Sequence, residues 1–218
     1  MPRPALTRSR IVTAGVVIVS EAGLPALDLR AVARRVNTTA TGVQRHIGAT
    51  ELVESVVDEI VQSMPPMPRG GDWSRRLRLW SVQTRGWLAG YPGLARHLLV
   101  SRRHAVGLEQ LEDVAGVLDE TGLARAQRVM AASALYRYVL CSADLDESAQ
   151  VLGVELPARR GAGSKEQRPA SIAPAVDRLA TATDRNFAFG LDLLIEGIEC
   201  RSGDGLVGPA AARRSFSP

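Results

Sequence analysis

Apolar positions recur along this chain at helical spacing, and the polar residues between them mark where each helix starts and stops. Leu29, Val32, Ala33 and Val36 fall on one helical face, with Asp28 ahead of them as a residue able to cap that helix. Asn37 tolerates the left-handed backbone in which a helix turns sharply, and Thr38 and Thr39 each offer a hydroxyl to cap the next one. Val43 and Ile47 then face inward and leave Thr41, Gly42, Gln44, Arg45 and His46 largely outside. A second short helix with an apolar back and a front of small polar, amide and guanidinium groups is what a helix-turn-helix presents to the major groove.

The same spacing predicts helices on either side. One runs from about residue 8 to 22, with Ile11, Gly15, Ile18, Val19 and Ala22 as its buried stripe, closed by Gly23. Another covers 50–64, with Leu52, Val53, Val56, Val57 and Ile60 inward, before Pro65-Pro66-Met67-Pro68-Arg69-Gly70-Gly71 breaks the chain at a domain boundary. Asp72 caps a helix that carries Trp73, Leu77, Trp80, Thr84, Trp87 and Leu88 along one side. After the Tyr91-Pro92-Gly93 break come a short helix over 94–101 and helices of roughly 107–121 and 124–145, divided by Gly122. The last of these carries Val129, Met130, Ala134, Tyr136, Tyr138, Val139 and Cys141. It is apolar on more than one side, which predicts burial both in its own bundle and against something else.

Residues 155–171 have a linker's composition and are expected to be mobile; a short helix is expected near Pro174, and a disordered tail over 201–218. Between them, 184–199 carries Phe187, Gly190, Leu191, Leu194, Ile195 and Ile198 as a regular apolar stripe, expected to form the interface of a homodimer. No sustained two-residue alternation occurs, so the fold class is all-α. It comprises an N-terminal three-helix helix-turn-helix domain with its arm (1–49), a connecting helix (50–64) and a C-terminal helical bundle (72–200) for ligand binding and dimerisation.

Charge sharpens this picture. The net charge of the 218-residue chain is +4, but Lys165 is its only lysine, so the arginines reflect a compositional bias as well as function. Their distribution says more. Residues 1–50 hold seven arginines against Glu21 and Asp28, a local excess of +5 where a nucleic-acid surface is expected. Cys141 and Cys200 sit in helical patterns without metal or redox spacing, and His97 and His104 have no Cys nearby; no metal or cofactor is expected, and the setting is cytoplasmic. The arginines before Ile11–Val19 mimic a short signal peptide, but Thr13 interrupts the run and it leads directly into Ser20-Glu21. No stretch is long enough to span a membrane. The histidines and unpaired cysteines offer no nucleophile–base or metal constellation for an all-helical enzyme.

Residues 8–60 resemble the N-terminal domain of TetR-family transcriptional regulators, without a gap from Ile11 to Gly48. The likeness takes in the helix Ile11–Val19, Glu21-Ala22-Gly23, Leu27-Asp28-Leu29-Arg30 and Arg45-His46-Ile47-Gly48. Weaker echoes of the family's C-terminal domain occur at Tyr91-Pro92-Gly93-Leu94-Ala95 and at Phe187–Leu194. The chain departs from the family at Gln44 and Ile47, where aromatics are usual, at Thr50, where Lys or Arg is usual, and at Asn37, where Gly is usual.

The resemblance implies a repressor of double-stranded operator DNA whose C-terminal domain takes a small-molecule effector. Arg8, Asp28, Arg30, Thr39, His46 and Thr50 are the candidates near phosphates, and Thr41, Gly42, Gln44 and Arg45 those nearest the bases. The tryptophan helix reads either as a widely buried core helix or as one wall of a ligand cavity. On the second reading the lining is Trp80, Gln83, Thr84, Trp87 and Tyr91 with Met130 and Tyr136, and the effector is mostly apolar or aromatic. A helical ligand- or partner-binding dimer without specific operator binding is the other reading the residues leave open.

Overall fold

The computed structural model describes residues 5–101, 105–152 and 183–203. The expected linker at 155–171, the helix near Pro174, His104 and the tail beyond 203 lie outside the described residues. Within them the chain is helical, without strands: α1 (Arg8–Ala22), α2 (Leu29–Arg35), α3 (Ala40–Gln44), α4 (Ala49–Gln62), α5 (Trp73–Leu88), α6 (Leu94–Val100), α7 (Ala105–Val117), α8 (Arg125–Leu152) and α9 (Thr183–Gly203).

The first four helices form the N-terminal unit. Thr7 caps α1, and Gly23, at φ 81°, ends it. Ile11 and Val19 are fully buried, but Ala22 is exposed, because the apolar face of α1 has turned into solvent by its last turn. Gly15 lets α1 and α4 close on each other; a Cβ there would overlap the Val56 side chain. Val32 and Ala33 of α2, Val43 and Ile47, and Leu52, Val56, Val57 and Ile60 of α4 complete one core.

In the C-terminal unit α8 is the centre, with α5, α6, α7 and α9 packed against it. It continues to Leu152 instead of stopping near residue 145, and α9 continues to Gly203, past the expected start of the tail. The two units meet where α4 packs on α7 and at the break between α5 and α6. The Leu24 N–H donates to the Pro92 carbonyl at 2.7 Å, and Gly93, at φ 82°, packs against Pro25. The Gly93 N–H in turn donates to the Glu147 carboxylate of α8 at 2.7 Å. The corner between α1 and α2, the α5–α6 loop and α8 are thus joined in series.

Candidate DNA-reading surface and interior polar cluster

The reading head is built by local caps. The Asp28 carboxylate accepts from the Ala31 N–H at 2.6 Å and starts α2. Asn37 closes the turn at φ 59°, the only non-glycine residue with positive φ among the described residues. The Thr39 hydroxyl accepts from the Gly42 N–H at 3.1 Å and starts α3. Gly42 leaves room for this cap: a Cβ there would lie 2.8 Å from the Thr38 hydroxyl and 3.3 Å from that of Thr39. Val43 and Ile47 are buried behind α3, while Thr41, Gln44, Arg45, His46 and, on α4, Thr50 are exposed.

The charges are arranged differently from the sequence expectation. Arg8 does not present a free guanidinium: it pairs with Glu51 and donates to the Ser55 hydroxyl at 3.0 Å, both on α4. Arg35 makes a two-pronged pair with Glu21 of α1 at 2.6 and 3.0 Å. That hydrogen bond pulls the Glu21 carboxyl below, and lifts Arg35 above, their ordinary values. Arg30, Arg34 and Arg45 are exposed and make no ion pair among the described residues. Arg30 and Arg34 share one face of α2 at i, i+4, and sequence reasoning named only Arg30 of the two as a candidate contact. The signal was present: Arg34 follows Arg30 by one turn, whereas Arg35 is rotated toward α1.

Inside the C-terminal unit, Trp80 and Thr84 lie one turn apart on α5 and are fully buried, with Ser81, also fully buried, beside them. The Trp80 ring stacks on that of Tyr136 from α8, centroids 6.3 Å apart. Burial pushes the Tyr136 phenol up to about 12, so it stays protonated at neutral pH. Trp87 is half-buried further along the same face and meets Tyr91, centroids 5.2 Å apart. Two expected lining residues are elsewhere. Gln83 is exposed and faces the Pro65–Arg69 segment, because the buried stripe through positions 77, 80, 81, 84 and 88 leaves position 83 on the opposite side. Met130 is 63% exposed, in a groove between α8 and α9.

A family model for the tetracyclin repressor-like C-terminal domain matches residues 65–202. The chain belongs to the TetR family. That match covers the half on which the resemblance of residues 8–60 did not rest. An HTH-type transcriptional regulator from Saccharopolyspora erythraea is 27% identical over 145 residues, covering 64% of this chain and 61% of that protein, under two thirds of its length. The HTH-type transcriptional repressor DrrR1 of Streptomyces coeruleorubidus is 24% identical over 217 residues, covering 91% of this chain and 79% of that one. Among solved structures, the Streptomyces coelicolor TetR family protein ActR in complex with actinorhodin matches at TM-score 0.72 and 26% identity. It covers 92% of this chain and 98% of that chain. Apo ActR shares the fold at TM-score 0.70 and 24% identity, covering 94% of this chain and 99% of that one.

In this TetR-family chain the stripe expected to form a dimer serves the subunit itself. Phe187, Leu191, Ile195 and Ile198 are buried against the chain's own bundle, and the Phe187 ring stacks on Tyr138 of α8 with centroids 5.5 Å apart. Gly190 is the seat of Tyr138, whose hydroxyl would overlap a Cβ there, and Leu194 is half-buried beside α8. Arg85 of α5 fastens the same corner: it pairs with Asp146 and Asp184 and lies 4.6 Å over the Phe187 ring. Burial opposes its charge, but the hydrogen bonds to Asp184 and Asp146 outweigh that and raise its pKa. What α9 turns outward is another row, Phe189 (66% exposed), Leu193 (53%), Gly197 and Cys200. On α8, Met130, Ala134, Arg137, Cys141 and Leu145 are exposed at i, i+4, i+7, i+11 and i+15. The sequence pattern showed two apolar sides on α8 and one regular stripe on α9, and that stripe is spent inside the subunit. No helix among the described residues is long and apolar enough to cross a membrane.

Proposed function

We infer that this TetR-family regulator is a repressor, not an enzyme, that binds a near-palindromic operator as a homodimer and is released by a small, mostly apolar effector. The observation that carries the reading is α3, with Val43 and Ile47 buried behind it and Thr41, Gln44, Arg45 and His46 presented together in front. Arg45 is suited to guanine O6 and N7, and Gln44 to adenine N6 and N7. Arg30, Arg34, Thr50 and His46, with the N–H groups at the start of α2, would hold phosphates. Thr39 acts through the cap that aims α3, and Arg8 through its tie to α4.

The outward rows of α8 and α9 support dimerisation, because apolar rows on two neighbouring helices form a four-helix interface with their symmetry copies. Two reading heads would then lie about 34–36 Å apart, one turn of DNA, or a multiple of it. The complex of ActR with actinorhodin supports a small-molecule effector. Release requires that the effector bind more tightly to the non-binding spacing, since equal affinity shifts nothing. The test compares wild type with Leu193→Glu by sedimentation and by binding to sheared genomic duplex. Leu193 is exposed in the single chain, so the variant should stay folded, become monomeric and lose most of its DNA affinity. A wild type that is monomeric, or whose DNA binding does not fall steeply with salt, contradicts the reading.

A further inference from the structure

Polar side-chain atoms without a hydrogen-bond partner are not scattered through this interior. Among the described residues, the buried atoms so left are Arg76 Nε, Trp80 Nε1, Ser81 Oγ, Thr84 Oγ1, Gln110 Oε1 and Tyr136 OH. The first four stand on one face of α5, at i, i+4, i+5 and i+8; Gln110 is on α7 and Tyr136 on α8, and these three helices pack on one another. An unsatisfied buried donor or acceptor costs about 1–3 kcal/mol, and native chains seldom keep several in one place without an occupant to satisfy them.

The chemistry of these atoms limits the occupant. Trp80 Nε1–H and Arg76 Nε–H can only donate, so it must carry acceptors on the side toward α5. The Gln110 amide oxygen accepts, and the three hydroxyls do either. Charge here is balanced: the Arg76 guanidinium is answered by Glu120 and that of Arg85 by Asp146 and Asp184, so neither cation awaits a carboxylate. The Trp80 and Tyr136 rings supply flat apolar surface. We propose that the α5–α7–α8 interior receives an uncharged, flat aromatic molecule bearing carbonyl or hydroxyl oxygens, which Trp80, Thr84 and Tyr136 distinguish from its hydrocarbon and its carboxylate congeners. Trp80 and Thr84 are fully buried in the unliganded chain, so entry must part α5 from α8. The proposal rests on the reading of this bundle as an effector site and specifies its chemistry.

Calorimetric titration of the full-length protein with fluorenone, fluorene and fluorenone carboxylate, three probes of one shape, tests it. Fluorenone is expected to bind at least about tenfold more tightly than either of the others, a difference of ~1.4 kcal/mol. Thr84→Val should erase much of that advantage and at the same time raise the melting temperature of the unliganded protein, because it removes an unsatisfied hydroxyl at constant shape. Tyr136→Phe should likewise narrow the preference. Fluorene or the carboxylate binding as tightly as fluorenone, no binding by any of the three, or a lowered melting temperature in Thr84→Val would each overturn the inference. The last result would mean that interior water already satisfies the cluster. DNA binding measured in parallel keeps the two readings apart: selective fluorenone binding that leaves DNA affinity unchanged supports this chemistry and removes the effector role.

Discussion

Asn37 stands at φ 59° where the family usually has glycine, and the reading head turns on it. A left-handed backbone costs a β-branched residue about 1–2 kcal/mol, so Asn37→Val should lower unfolding stability by that amount, whereas Asn37→Gly should be nearly neutral; denaturant melts distinguish the two. In the proposed reading Arg45 faces bases and Arg34 faces phosphates. Arg45→Ala should relax base preference at one position of each half-site, whereas Arg34→Ala should weaken all sequences alike and flatten the salt dependence by about one unit. Equal, uniform losses from both would contradict the assignment. Glu21 gives a pH test. Its carboxyl titrates below its ordinary value of 4.5 in the folded chain, held down by the hydrogen bond from Arg35. Its stabilisation is therefore present above that value and is lost as pH falls through the lower folded value. The stability difference between wild type and Glu21→Gln should be constant at neutral pH and vanish in acid. At this scale the caps were legible in the sequence, because Asp28, Thr39 and Asp72 each bond an N–H three residues on. The pairing of Arg8 with Glu51, 43 residues away, was not, since nothing local signals it.

Between elements, the close approach of α8 and α9 hangs on one glycine. Gly190→Ala gains helix propensity but forces the Cβ onto Tyr138, and overpacking of this kind costs about 1–3 kcal/mol. A double-mutant cycle with Tyr138→Leu should show coupling above ~0.5 kcal/mol; additive effects would mean that the helices do not meet at this point. The sequence marked Gly190 as a site of close helix approach and supplied the wrong partner. Periodicity reports that a face is apolar, not whether its own subunit or a copy covers it. The same ambiguity misdirected Met130, which belongs to the second apolar side of α8. Trp80 and Thr84 stand on α5, where one stripe is buried, and both are fully buried there. The α5–α6 loop is one element through which the bundle reaches the N-terminal helices, the packing of α4 on α7 being another. It bonds Leu24 through the Pro92 carbonyl and Glu147 through the Gly93 N–H.

For the molecule as a whole, the fold class and the helix-turn-helix were legible, because each rests on local pattern. The surface proposed to join two copies was not, and in that proposal the exposed rows around Phe189, Leu193 and Leu145 would set how far apart the two α3 helices stand. Operator recognition needs both the exposed front of α3 and that spacing. Gln44 and Thr50 depart from the family's usual residues on that surface, so in the proposed reading Arg30, Arg34 and Arg45 would carry more of the recognition. The most direct measurement is selection of bound fragments from the source organism's sheared genomic DNA by the purified full-length protein at near-physiological salt. The account predicts recovery of fragments sharing one near-palindrome, with half-sites a whole number of DNA turns apart. Recovery of fragments with no common sequence, or of none, would contradict it and leave a helical ligand-binding dimer whose reading head no longer reads.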